Sequence, residues 1–418
     1  MSNNFCVVPW IHLNTEPTGK VKPCCAFDAN DHEWSKLQES SLEETWNCDA
    51  QKKLRKQFLN NERPSGCMTC FNKEDSGSHS MRMAMNERFA HHIDVAKSET
   101  SEDGRYENFN LVYWDFRFSN ICNFKCRMCG HGLSSSWYED LHDKHKYVKF
   151  LDSNYYKQDL MTYVDQCIDV VEEIYFAGGE PLLMPEHYKI LDKLIENQRY
   201  DVFLRYNTNL STLKYKDYDL VDAWKKFNKV DIFASIDGTY ENAEYTRSGT
   251  DWIKIDENFK YINSVSLEYK NINLIVNSTI HLLNVFHFSD VIDKIIECKM
   301  NPRRIVVNNV IWPNHLRICL LPDHLKNDLI EKFTDHLEKI PERYKDAVKE
   351  HYDSILFFLN KDYTDEDLFI FVRDTLRLDK LRNESVHDAC PELSKWITEL
   401  INIPSFKSRL LQAGLING

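Results

Sequence analysis

No apolar run in this chain approaches the roughly 18–20 residues that a membrane-spanning helix needs, so no span is expected. Long basic runs are also missing and the formal net charge is −13, which argues against a surface that tracks nucleic acid. No glycine-rich phosphate loop favours a nucleotide substrate. There is no internal repeat and no low-complexity stretch. With 42% hydrophobic and 12% aromatic residues over 418 positions, wholesale disorder is excluded. The opening Met1-Ser-Asn-Asn-Phe-Cys6 has no charged stretch ahead of an apolar core, so no secretion signal is expected. Cysteine, by contrast, is abundant at thirteen residues. Without a secretion signal this points to a reducing, cytoplasmic compartment, where thiols bind metal or lie buried.

The length allows two domains, or one barrel of about 250 residues with additions. Residues 1–95 hold six cysteines and few strand-like runs; Ser41-Leu-Glu-Glu44 is a capping box opening a helix to about Leu59. Residues 96–110 are polar and aperiodic, a linker. From 111 to 320, β-rich runs at 111–118, 173–177, 202–206, 230–235, 272–279 and 304–311 alternate with amphipathic helical stretches such as 160–172, 187–197 and 290–298. Six strands each followed by a helix imply a parallel α/β sheet with right-handed crossovers, a partial (β/α)6 TIM-like barrel. Residues 321–418 read as a helical C-terminal extension, with helices at 323–337, 341–360, 365–382 and 391–401.

Three cysteines crowd into eight residues, Cys122-Asn-Phe-Lys-Cys126-Arg-Met-Cys129, directly after the first of these strands. A closed zinc site or a fully protein-ligated cluster takes four protein ligands. Three thiolates on a tight loop suit a cubane cluster whose fourth iron stays open to a small molecule. The next strand ends in Ala177-Gly178-Gly179-Glu180-Pro181, where paired glycines let the backbone approach a ligand and Glu180 offers a carboxylate to an ammonium group. Alone, that segment reads equally as an ordinary strand-to-helix turn. Asn207-Thr208-Asn209 follows the third strand, and Ser235-Ile-Asp237-Gly238 the fourth.

These motifs, together with Asp115-x-Arg117-x-x-Asn120 ahead of the cysteines, resemble the radical S-adenosylmethionine (SAM) superfamily over about residues 111–320. The resemblance implies a 4Fe-4S cluster on Cys122, Cys126 and Cys129 that cleaves SAM to a 5′-deoxyadenosyl radical. It places the methionyl amino group of SAM on Gly178, Gly179 and Glu180, and the ribose or substrate near Asn207 and Asn209, with Leu210 where the family commonly has glycine. Ser235 then contacts SAM, Arg247 its carboxylate, and Met128 its adenine; a surface ion pair for Arg247 and core packing for Met128 remain open.

A second constellation, Cys6-x12-Gly19-x4-Cys24 with Cys67-x2-Cys70, resembles the twitch/SPASM-like auxiliary-cluster segment, here ahead of the barrel rather than behind it. It implies a second 4Fe-4S cluster on Cys6, Cys24, Cys67 and Cys70. A structural zinc site also satisfies these four cysteines, and Cys25 is an alternative to Cys24. Cys48, Cys167, Cys298, Cys319 and Cys390 read as small buried hydrophobes, with Cys319 the candidate hydrogen-atom donor. His131 and His281 read as solvated or satisfied histidines.

The activity implied is hydrogen abstraction from an unactivated C–H, foremost on a peptide or protein side chain, with a reductant such as flavodoxin or ferredoxin as partner. Oxidation or epimerisation of a carbohydrate or aminocyclitol small molecule is the runner-up. A non-catalytic iron–sulfur or zinc electron-transfer protein is the rival of another class.

Overall fold

The computed structural model describes residues 4–28, 34–75, 77, 79–151 and 159–417. Its strands are β1 Asn14–Thr15, β2 Val21–Lys22, β3 Tyr113–Phe116, β4 Lys125–Cys126, β5 Glu173–Phe176, β6 Phe203–Thr208, β7 Lys214–Tyr215, β8 Tyr218–Asp219, β9 Val230–Ser235, β10 Arg247–Ser248, β11 Ile272–Ile280 and β12 Ile305–Asn309. The six expected β/α strands are β3, β5, β6, β9, β11 and β12. In β11 burial alternates along all nine positions, although the sequence alternates only in part: Ile275 is apolar on the half-buried side and Ser278 polar on the buried one. That is the period-two signature of a strand with one face in the core. The fold class is α/β with mostly parallel strands.

The chain forms two compact units that do not follow chain order. The first comprises Met1–Ile121, Val148–Tyr206 and Asp217–Val230. In it β3 pairs in parallel with β5, and β5 with β6. β1 adds in parallel to β3, with Asn14 opposite Asp115, and β2 closes an antiparallel hairpin on β1. Residues 1–95 hold few strand-like runs, and β1 and β2 are not among the strands expected from the sequence. Two-residue strands carry no periodicity, and these are held by partners about a hundred residues away: the amides of Val112 and Arg117 donate to the carbonyls of Ile11 and Thr15.

The predicted helix from Ser41 to Leu59 is instead two helices, Leu42–Trp46 and Asp49–Leu59. The capping box is present, with Ser41 and Glu44 bonding reciprocally. The break follows because the Asn47 side chain is drawn out of the helix, bonding both the amide and the carbonyl of Tyr106 and accepting from Arg55.

The second unit comprises Cys122–Tyr147, Asn207–Lys216 and Asp231–Gly418. β9, β11 and β12 are sheet neighbours in that order, with β11 and β12 parallel. The C-terminal region is helical, as expected. Asp365–Arg382 starts on a Thr364–Asp367 capping box and stops at Asn383, which adopts a left-handed φ of 53°. A last helix, Pro404–Gln412, was not predicted. Among the described residues no helix is long and apolar enough to cross a membrane.

Candidate functional site

In the second unit, Cys122, Cys126 and Cys129 sit on a loop whose carbonyls are satisfied by the residues that follow it. Ser134 Oγ donates to Phe124 O (2.6 Å), Ser136 Oγ to Cys122 O (2.7 Å) and Trp137 Nε1 to Cys126 O (3.0 Å). β4 pairs antiparallel with β10, setting Cys126 opposite Arg247. Burial raises the Cys126 thiol despite the Arg247 charge, and pushes Cys129 up to about 12 with the neighbouring Cys126 adding to it. These groups therefore ligate as thiolates only where a cationic centre repays the cost of charging them. Arg247 lies in the field of both Cys126 and Cys122. Three thiols on one short loop are a donor set that fits a cluster with an open iron.

Arg247 is not a surface ion pair. Its side chain is largely shielded at 15% exposed, pairs with Asp237 at 2.7 Å, and turns Nη1 toward Cys126 Sγ at 3.7 Å. Asp237 in turn accepts from Thr279 N at 2.7 Å, so β11 holds the pair in place. Phe124, Asn209, Ser235, Asp237, Arg247 and Trp252 line one small cavity. Asn209 Nδ2 donates to Asn123 Oδ1 at 3.0 Å, beside Cys122. Leu210, where the resembled motif has glycine, nevertheless adopts φ 55° and is fully buried. The backbone keeps a glycine-like bend at a cost of roughly 1–2 kcal/mol, offset by the burial of leucine. Asn207 and Met128 are half-buried.

In the first unit, Gly178 has φ 121°, a conformation side chains rarely adopt. A Cβ on Gly179 would stand 2.1 Å from the carbonyl oxygen of Ile121. Glu180 N donates to that same oxygen at 2.7 Å, and its buried carboxylate caps the turn at Leu182 N. The two glycines thus permit a backbone contact with the residue just before the first cluster cysteine.

Also in the first unit, Cys6, Cys24, Cys67 and Cys70 line one cavity of about 30 Å³ with Phe27 and Arg82. Gly19, at φ 81°, closes the β1–β2 turn that delivers Cys24, which explains the glycine in the spacing. Burial pushes Cys6 up to about 12 and raises Cys24 and Cys67, each further raised by its cysteine neighbours. Cys24 feels Cys6, Cys67 and Cys70, whereas Cys25 faces Asp115, Arg117 and Met81 Sδ. The geometry thus selects Cys24. A zinc ion with four sulfurs at about 2.3 Å draws them to about 3.8 Å from one another. Among the described residues the only three or more His, Cys, Asp or Glu donors within 4.8 Å of one another are His91, His92 and Glu172.

Cys319 lies buried in the 3₁₀ turn Ile318–Leu320, its sulfur 4.0 Å from Asp362 O, and lines neither cavity. Cys167 and Cys390 are buried as expected. His281 is buried, and burial lowers it to about 4.

The sequence reading missed a clamp on the cluster loop. Arg127 Nη2 donates to Asp379 and Glu384, both at 2.6 Å, and the guanidinium stacks 3.7 Å from the Tyr245 ring centre. Asp379 also accepts from Tyr245 Oη and Val386 N. Arg382 bonds Asp140 and Ser248 and lies over Trp137. The only sequence signal was an arginine between two cluster cysteines; its partners lie more than 250 positions away.

Residues 116–293 match the family model described as the radical SAM superfamily, and residues 6–71 match that of an iron–sulfur cluster-binding domain. None of the curated proteins matches the chain. Among solved structures, native anSMEcpe with bound AdoMet is similar at 19% identity and TM-score 0.38, over 64% of this chain and 66% of that one. The chain thus spans just under two thirds of that protein's length. Streptococcus suis SuiB bound to S-adenosylmethionine is similar at 14% identity and TM-score 0.35, over 88% and 76% of the two chains. SuiB bound to precursor peptide SuiA gives 14% and 0.37, over 98% and 90%.

Proposed function

We propose, for a chain that belongs to the radical SAM superfamily and carries an N-terminal iron–sulfur cluster-binding domain, that it abstracts hydrogen from an unactivated carbon of a peptide or protein side chain. Its cofactors are SAM and two 4Fe-4S clusters. The observation that carries this reading is the short loop of three thiols whose middle cysteine is strand-paired against Arg247, beside the Ser235–Asp237 cavity. Bound and reduced at that loop, the cluster supplies reductive cleavage of SAM to methionine and a 5′-deoxyadenosyl radical.

The chain's own residues bind and orient. Cys122, Cys126 and Cys129 hold the cluster and leave one iron for SAM. Gly178 and Gly179 let main chain approach the methionyl amino group, with Glu180 as its counter-charge. Arg247, held by Asp237, takes the carboxylate. Ser235, Asn207 and Asn209 orient the ribose side and Met128 the adenine. Phe124 and Trp252 give the cavity apolar walls that keep water from a reactive species.

Cys6, Cys24, Cys67 and Cys70 would hold the second cluster by four protein thiolates, a ligation that would suit electron transfer rather than substrate binding; flavodoxin or ferredoxin suits the reductant. Peptide side chains are preferred because they are the broadest use of this architecture among the enzymes it resembles. Cys319, its thiol directed at a carbonyl, gains no support as a hydrogen-atom donor.

The test is anaerobic incubation of the reconstituted protein with dithionite and SAM. The wild type forms 5′-deoxyadenosine and Cys126→Ala forms none; a wild type that forms none refutes the reading. A short peptide, should one be encoded beside the gene, then changes mass with the wild type and not with Cys67→Ala, although SAM cleavage continues.

A further inference from the structure

We propose that His91, His92 and Glu172 form a third metal site, for a single divalent transition ion such as Zn2+, separate from both cysteine constellations. All three lie in the first unit. The two histidines are consecutive in the 3₁₀ turn Ala90–His92, with ring centres 4.3 Å apart and planes inclined by 42°. Consecutive side chains ordinarily diverge, yet here both Nε2 atoms converge on one carboxylate. His91 Nε2 stands 3.0 Å from each oxygen of Glu172, and His92 Nε2 2.8 Å from Oε1. The three donors lie within 4.8 Å of one another.

A tetrahedral ion bound at about 2.0–2.2 Å to imidazole nitrogen and carboxylate oxygen sets neighbouring donors about 3.3–3.6 Å apart. The nitrogen–oxygen pairs, now at 2.8–3.0 Å, open by about half an ångström to take it. Each Nε2 now bonds to the carboxylate; an ion displaces those protons and is bonded by the same atoms.

Two further features suit a cation. The Glu172 backbone is anchored, its amide donating to Val112 O at 2.8 Å just ahead of β5, so the carboxylate is presented from a rigid strand start. His92 and Glu172 also line a solvent-open cavity with Asp169 and Asn110, so the site is open to water. Borderline nitrogen and oxygen donors select Zn2+ or a similar transition ion over Mg2+ or Ca2+. Glu172 precedes β5 whereas Gly178 follows it, so the ion occupies the strand end opposite the glycines. There it staples the turn at 90–92 to the start of β5 and takes no part in SAM cleavage.

The test uses the holoprotein, reconstituted with both clusters so that the cluster cysteines are occupied, cleared of loose metal on a chelating resin and dialysed against Zn2+. The wild type retains one Zn2+ per chain by elemental analysis, and its melting temperature rises with Zn2+. Glu172→Gln and the double variant His91→Ala/His92→Ala bind Zn2+ at least tenfold more weakly, with iron content unchanged. Equal Zn2+ on wild type and variants places the ion elsewhere and overturns the proposal, as does a wild type that binds none. Should either variant lose iron, His91→Gln alone is read by the same two measurements.

Discussion

Replacing Arg127 with alanine tests whether the C-terminal helices hold the cluster loop. The side chain is 2% exposed and lies between two cluster cysteines. It makes two charge-assisted bonds at 2.6 Å, one to Tyr245 O at 3.1 Å, and a stacked contact with the Tyr245 ring. Removing one member of a buried ion pair costs about 3–5 kcal/mol, most of it from the charge left without a partner. Here Asp379 keeps Tyr245 Oη at 2.9 Å and Val386 N at 2.8 Å, and Glu384 is 21% exposed and reaches water. The lower end therefore applies, about 3 kcal/mol. In a unit of this size that shifts a melting transition by roughly 6–12 °C. Calorimetry on the reconstituted protein reads the shift, and iron analysis reads loss from the loop while the auxiliary cluster stays. Arg127→Lys keeps the charge but not the fork, and falls between. A shift below about 1 °C with full iron would refute the clamp.

Gly179→Ala forces a Cβ to 2.1 Å from Ile121 O; the backbone must move, so SAM affinity measured by equilibrium dialysis falls at least tenfold with both clusters retained. Burial pushes His287 down, but bonds to Asp290 and Glu392 more than offset this and leave it raised to about 9, while Glu392, in spite of burial, is lowered to about 2 by the same contact. The raised histidine contributes stability fully below about pH 6.5, lost as pH rises through about 9; the depressed carboxyl contributes above about pH 4.3, lost as pH falls through about 2. The urea midpoint of the wild type therefore declines between pH 6.5 and 9, and that of His287→Gln changes less over the same interval.

Much of the architecture was legible in the sequence because it is local. The β-rich run at 272–279 and the capping box at Ser41 act through neighbours a few residues apart, and a strand and a helix start formed there. The cysteine spacings were legible for the same reason: eight residues cannot carry Cys122 and Cys129 far apart. Errors fell where a distant partner overrides local preference. Asn47 breaks a helix because Tyr106 claims its side chain, and β1 exists because β3 offers an edge.

The residue types themselves determined the chemistry available to this protein: three thiols on a loop, four more around a glycine turn, and paired glycines before an acid. Only tertiary structure decided which cysteine of Cys24 and Cys25 faces the quartet, that Arg247 is paired with Asp237, that Arg127 is gripped from Asp379, and that His91 and His92 converge on Glu172. Those choices depend on contacts between segments tens to hundreds of residues apart. Burial and charge pairing settle them when the chain closes, and no spacing along the chain records them.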